Sequence, residues 1–280
     1  MLDRVAPDMS GRSGMATIVP SRPVEYRGGG FRPRSILWIG PVLFILLIGF
    51  LEWGTRAGWI GATALPRPSD VGGVFVDLVA TGELWRHLGP SVTRFLVGSL
   101  IGTTLGVAVG TAIGLFSVAR AAGVPLVAAL FPIPKIALLP LFVIWFGIGE
   151  ASKYALIALG TFTPIVVATY GAVDNVDRTL IRMAQSFGLS WWSVVRKVVL
   201  PGALPGILSG LRVSLAIGII LLVAAEMLGA EFGIGAYVMN AGALYDLERL
   251  FAGVVILSVL GVGVSWVIGL VERRLLHWRN

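Results

Sequence analysis

A chain of 280 residues that is 56% hydrophobic and only 13% charged, with a mean hydropathy of +0.88, lacks the polar surface to cover a water-soluble globule of its size. Its formal net charge of +7 is met by anionic lipid and by charge asymmetry across a membrane, so a nucleic-acid partner has no separate support. The absence of cysteine excludes disulfides and thiolate-held metals, and the two histidines, His87 and His277, lie far apart in sequence, at expected membrane–water boundaries, which gives no metal site.

Residues 1–34 contain Arg4, Arg12, Arg22, Arg27, Arg32 and Arg34 among glycines and prolines with no apolar run, the composition of a disordered cytoplasmic basic tail and not of a signal peptide. From 35 to 280 the chain reads as one membrane domain. Six apolar windows, 36–54, 93–116, 122–146, 153–174, 206–228 and 250–271, are each long enough to cross a hydrocarbon layer of about 30 Å. With the N-terminus inside, the six tail arginines join Arg120, Arg178, Arg182, Arg196, Lys197, Arg273, Arg274 and Arg279 on the cytoplasmic side, fourteen cations in all. Six lie in outer segments or at span edges, Arg56, Arg67, Arg86, Arg94, Lys153 and Arg249, while Lys135 and Arg212 fall within windows and are left out of the count. The asymmetry predicts an all-α membrane protein with six transmembrane helices and both ends in the cytoplasm.

Residues 65–88, between the first two windows, carry aromatic and basic side chains suited to an interfacial lid. The second window then places Gly98, Gly102, Gly106, Gly110 and Gly114 at intervals of four, a groove of bare backbone for close helix packing, within one subunit or across a dimer. In the third window Pro132, Pro134 and Pro140 interrupt the helix, and broken helices at membrane depth commonly line a cavity. Lys135 stands among them. A lysine at a helix centre costs about 2.5–3.5 kcal/mol on insertion scales unless it faces water or snorkels to an interface, so the pathway and anchor readings both stand.

Residues 175–204 form a structured cytoplasmic loop. Asp177 is placed to cap a short helix with Leu180, Met183, Ala184 and Phe187 on one apolar face and Arg178, Arg182 and Gln185 on another. Gly188 permits the turn that ends it, Ser190 can cap a second short helix, and Pro201 is expected to stop that one. Two such helices need support from the membrane domain on one side and a partner on the other. Beyond the fifth window, Glu226 opens a Gly-rich outer connection; it is either paired near the translocation path or meets outer headgroups.

The loop resembles the EAA loop of ATP-binding-cassette importer permeases, whose pattern runs Glu-Ala-Ala, three residues, Gly, nine residues, Ile-x-Leu-Pro. Ala184, Gly188, Leu200 and Pro201 match it, Val198 replaces Ile, and Arg182 and Met183 stand where the pattern has Glu and Ala. Residues 132–150 look like the third-helix signature of the nitrate, sulfonate and taurine branch. The resemblance implies a type I importer permease fold in a bacterial inner membrane and a homodimer with two cytoplasmic ATPase subunits and an extracytoplasmic solute-binding protein. It also implies an oxyanion or organosulfonate as solute, with thiamine-precursor pyrimidines and aromatic carboxylates as alternatives. No cofactor and no catalytic residue are expected, since no phosphate-cradling, zinc-protease or nucleophile-elbow motif occurs. A secondary transporter would show internal repeats and carboxylates within spans, and a membrane enzyme would show clustered His, Asp or Ser.

Overall fold

The computed structural model describes residues 38–61 and 64–277; the expected basic tail lies outside them. The chain divides into two compact units, 1–46 and 47–280. In the first, the described residues begin helix α1 (Ile39–Arg56), apolar along its exposed length. In the second, the remainder of α1 precedes α2 (Pro68–Ala80), α3 (Glu83–Leu115), α4 (Ser117–Leu130) and, after a short 3-10 turn (Lys135–Leu138), α5 (Leu139–Phe146). Then follow α6 (Glu150–Asp174), α7 (Arg178–Ser186), α8 (Trp191–Val194), a π turn (Val195–Val199), α9 (Leu200–Met227), α10 (Ile234–Ala243) and α11 (Leu247–Leu275).

Among the described residues, five helices are long and apolar enough to cross a membrane, and one pair, α4 with the 3-10 turn and α5, is bent through 91°. The third window is therefore a broken span. Pro132 and Pro134 lie in the break, where no helix is interrupted further, while Pro140 sits in the first turn of α5, where its missing N–H has no helical partner to lose. The second and fifth windows are extended at one end, to Glu83 and, through the π turn, to Trp191.

Pro201 does not stop a helix. The π turn just before it shifts the carbonyl ladder by one residue, with Leu200 N–H donating to Val195 O, and Trp191–Met227 runs on as one 37-residue span. Hence the second short helix of the loop is the foot of a membrane helix.

The most extensive helix contact among the described residues is α3 against α6. A Cβ at Gly98 would lie 2.7 Å from Ile157, one at Gly110 2.6 Å from Thr169 and one at Gly114 2.6 Å from Val173, while at Gly102 and Gly106 it would overlap Thr161, the Ala158 carbonyl and Ile165. The entire glycine stripe is consumed inside the subunit. Because lipid removes the hydrophobic drive between apolar helices, contact at this distance supplies the dispersion that holds the pair. Leu156, Ile157, Ile165 and Val166 on α6 are accordingly fully enclosed.

Candidate functional site

Two places concentrate polar chemistry, one at each end of the bundle. At one end, the Asp177 carboxylate accepts from Thr179 N–H at 2.7 Å and begins α7. That bond holds the carboxyl below its ordinary pKa, so the cap is fully present above the usual carboxylate range and is lost as pH falls through the lowered value. The helix ends with Leu189 N–H donating to Ala184 O at 3.2 Å, a closure that needs Gly188 at φ +73°.

Phe187, Met183 and Leu180 are 79%, 52% and 51% exposed and form an apolar stripe. Ala184 does not share it. At 8% exposure it turns inward, into a cluster with Val173, Val176, Val194, Val199 and Ala203, because the far edge of the predicted face is where α7 rests on α8 and the π turn. Ser190 precedes α8, but its hydroxyl donates to Ser193 Oγ at 3.0 Å and not to any backbone atom. Behind α7 lies a cavity of about 490 Å³ whose apolar walls include Ile181, Leu189, Val194 and Val195, with Arg178, Arg182 and Gln185 at its edge.

At the other end, Arg94 on α3 is 4% exposed and joins three elements. Its Nε and Nη2 both donate to Glu150 at 2.6 Å, and Nη1 donates to Glu226 at 2.8 Å and to Phe232 O at 2.5 Å. Glu226 is fully buried and also accepts from Ser91 Oγ at 2.8 Å and Gly235 N–H at 2.9 Å. Ser91 Oγ in turn accepts from Ile234 N–H at 2.8 Å, and His87 Nδ1 lies 3.1 Å from Gly233 O. Gly233 and Gly235 are required there, since a Cβ on either would strike the Glu226 side chain. Nearby, burial pushes the Tyr237 hydroxyl up to about 12, so it stays neutral against the His87 ring.

Of the two readings of Glu226, contact with headgroups does not fit its full burial; the residue is paired, with Arg94. Sequence reasoning also missed Glu150 as a partner and treated Arg94 as an edge cation. The available signal was three opposite charges, Arg94, Glu150 and Glu226, at the outer edges of three different windows, where ionisable groups at membrane depth pair with one another.

Lys135 Nζ donates to Phe131 O at 2.6 Å, capping a carbonyl freed by the break, while Pro132, Pro134 and Pro140 are exposed on the subunit surface. The lysine stands apart from both polar clusters.

These features make a helical membrane domain with a capped amphipathic element at one end and a charge lock at the other. The chain belongs to the family described as binding-protein-dependent transport system inner membrane component, whose model matches residues 102–277. It is 38% identical over 223 residues to a Bacillus subtilis (strain 168) permease protein named for aliphatic sulfonates transport, covering 80% of this chain and 81% of that one. It is 40% identical over 261 residues to the taurine transport system permease protein of Escherichia coli (strain K12), covering 88% and 95%. The riboflavin transport system permease protein of Chloroflexus aurantiacus is 36% identical, covering 85% of this chain and 89% of that protein. The fold is shared with the inward-facing MetNI methionine ABC transporter at a TM-score of 0.59 and 23% identity, over 69% of this chain and 95% of that one. The chain is thus a multi-span inner-membrane permease subunit of an ABC importer.

Proposed function

We propose that this permease conducts a small organosulfonate and works as a homodimer, docked on two cytoplasmic ATPase subunits that hydrolyse ATP and fed by an extracytoplasmic solute-binding protein. The observation that carries the solute class is the 38% and 40% identity to permeases named for aliphatic sulfonates and taurine, spread over at least four-fifths of the chain. Both ends lie in the cytoplasm, as the cation asymmetry favours. The broken third span supports the pairing of two copies: non-helical backbone with exposed Pro132 and Pro134 is not tolerated against lipid and is tolerated against protein or a water-filled path. ATP-driven closure of the partner subunits moves the two α7 helices together and rocks the spans about that path.

The direct test is ATP-dependent uptake by the reconstituted complex with its binding protein. Taurine or a short alkanesulfonate should accumulate. The riboflavin relative supplies the contrary arm, and uptake of riboflavin with no sulfonate uptake refutes the solute class.

In this reading Leu180, Met183 and Phe187 enter the ATPase, Ala184 seats α7 on the bundle, and Gly188 and Pro201 set its direction into α9. Gly188→Val forces a β-branched residue to positive φ at a cost of about 1–3 kcal/mol, which redirects the end of α7. Transport should fall at least tenfold while the spans still insert and the permease still purifies as an intact species. Normal uptake in that variant removes α7 from the coupling role.

Lys135 contributes a single cation to the path, attracting an anion without holding it tightly. Lys135→Met should lower sulfonate uptake several-fold with ATPase docking unchanged. A cysteine introduced at 135 that no water-soluble thiol reagent reaches in any nucleotide state, together with normal uptake by Lys135→Met, would show that the lysine only caps the break.

A further inference from the structure

Between residues 178 and 200 the chain carries Arg178, Arg182, Arg196 and Lys197 and not one carboxylate. The two nearest acids are already engaged: Asp174 accepts from Arg120 Nη2 at 2.9 Å, and Asp177 caps α7. Arg182 makes no hydrogen bond or ion pair among the described residues, and it lies at the edge of the 490 Å³ cavity next in sequence to Met183 of the exposed stripe. The inner face of α7 rests on α8 and the π turn, so the stripe points away from them. Arg182 is itself exposed, on a different face of α7 from the stripe and lining that cavity, so a partner broad enough to cover both faces takes an unmatched guanidinium out of water.

Resting on the reading of α7 as the docking element, we propose that the ATPase subunit presents an acidic surface here and seats a carboxylate on Arg182. A desolvated charge left without a counter-ion opposes association, whereas a guanidinium matched by a carboxylate is held by two parallel charge-assisted hydrogen bonds. The resemblance adds contrast, because the same position carries Glu in the EAA pattern; a permease with Arg182 rejects an ATPase whose groove is basic and accepts one whose groove is acidic. The inverted charge thus acts as a pairing code between this permease and its own ATPase.

The test uses the full permease in nanodiscs and the ATPase subunit of the same transporter, purified separately. Association of the unmodified pair should weaken steeply as NaCl rises from about 50 to 500 mM. Arg182→Glu should weaken it about tenfold at low salt, Arg182→Gln less, and the variants should converge on the unmodified pair at high salt. Leu180→Ala should weaken association with no change in salt dependence. Salt-insensitive binding by the unmodified permease, or equal or tighter binding by Arg182→Glu, overturns the inference even where Leu180→Ala still weakens docking. If neither variant matters, the docking role of α7 fails with it. Unchanged ATPase binding accompanied by loss of co-purified anionic lipid in Arg182→Glu assigns the arginine to headgroups and also overturns it.

Discussion

Gly102→Val should strongly destabilise the folded permease. A Cβ at this position would overlap the Thr161 hydroxyl and the Ala158 carbonyl, and a backbone carbonyl inside a helix cannot swing aside. The two helices must separate along their shared length, losing the contacts of Gly98, Gly106, Gly110 and Gly114 together. Overpacking in a compliant core costs about 1–3 kcal/mol; with a rigid neighbour the loss here should reach about 3 kcal/mol or more. Thermal denaturation in detergent, followed by size-exclusion recovery, measures it. Gly263→Ala on α11, where nothing lies within 4 Å of an added Cβ, is the matched control and should behave as wild type. An unshifted melting curve for Gly102→Val would mean that α3 and α6 are not held by this stripe.

The second large effect belongs to the outer lock. Arg94→Met leaves Glu226 fully buried with its charge uncompensated, and removing one partner of a buried pair costs about 3–5 kcal/mol. Glu226→Ala should be milder, because Arg94 keeps its two bonds to Glu150, but it orphans the Gly235 N–H and leaves the Ser91 hydroxyl only its longer bond to His87 O. The double variant Arg94→Met/Glu226→Gln should recover part of the Arg94→Met loss, since the neutral amide no longer needs a cation. Simple additivity of the two changes would contradict the direct coupling seen at 2.8 Å. Because the lock ties α3, α6 and α9 to the turn before α10, protease sensitivity of residues 228–233 should rise in step with the loss of stability.

Much of this architecture is legible locally. A run of about twenty apolar residues has no stable home but lipid, and a glycine every fourth residue leaves one helix face bare wherever it packs. Asp177 and Gly188 could be placed from their neighbours alone, since a cap and a left-handed turn are decided within four or five residues. The resemblance of residues 182–201 to the EAA loop named the family from the same short stretch. Ala184 was misplaced for a reason of the same scale: a helical wheel orders residues around an axis but does not say how much of the wheel a neighbour covers.

Composition and periodicity by themselves determined that this chain is a six-span helical membrane protein, where its capped loop lies and which helix face is bare, because those are properties of short windows meeting a uniform solvent. Only the tertiary structure decided that the bare face of α3 meets α6, that Pro201 continues a span, that α4 and α5 bend by 91°, and that Arg94, Glu150 and Glu226 form one lock. Arg94 lies 56 residues from Glu150 and 132 from Glu226. No local window holds all three groups, and what brings them together is the depth at which each span ends: charges stranded at one level of a low-dielectric medium lower their energy by pairing, whatever their separation along the chain.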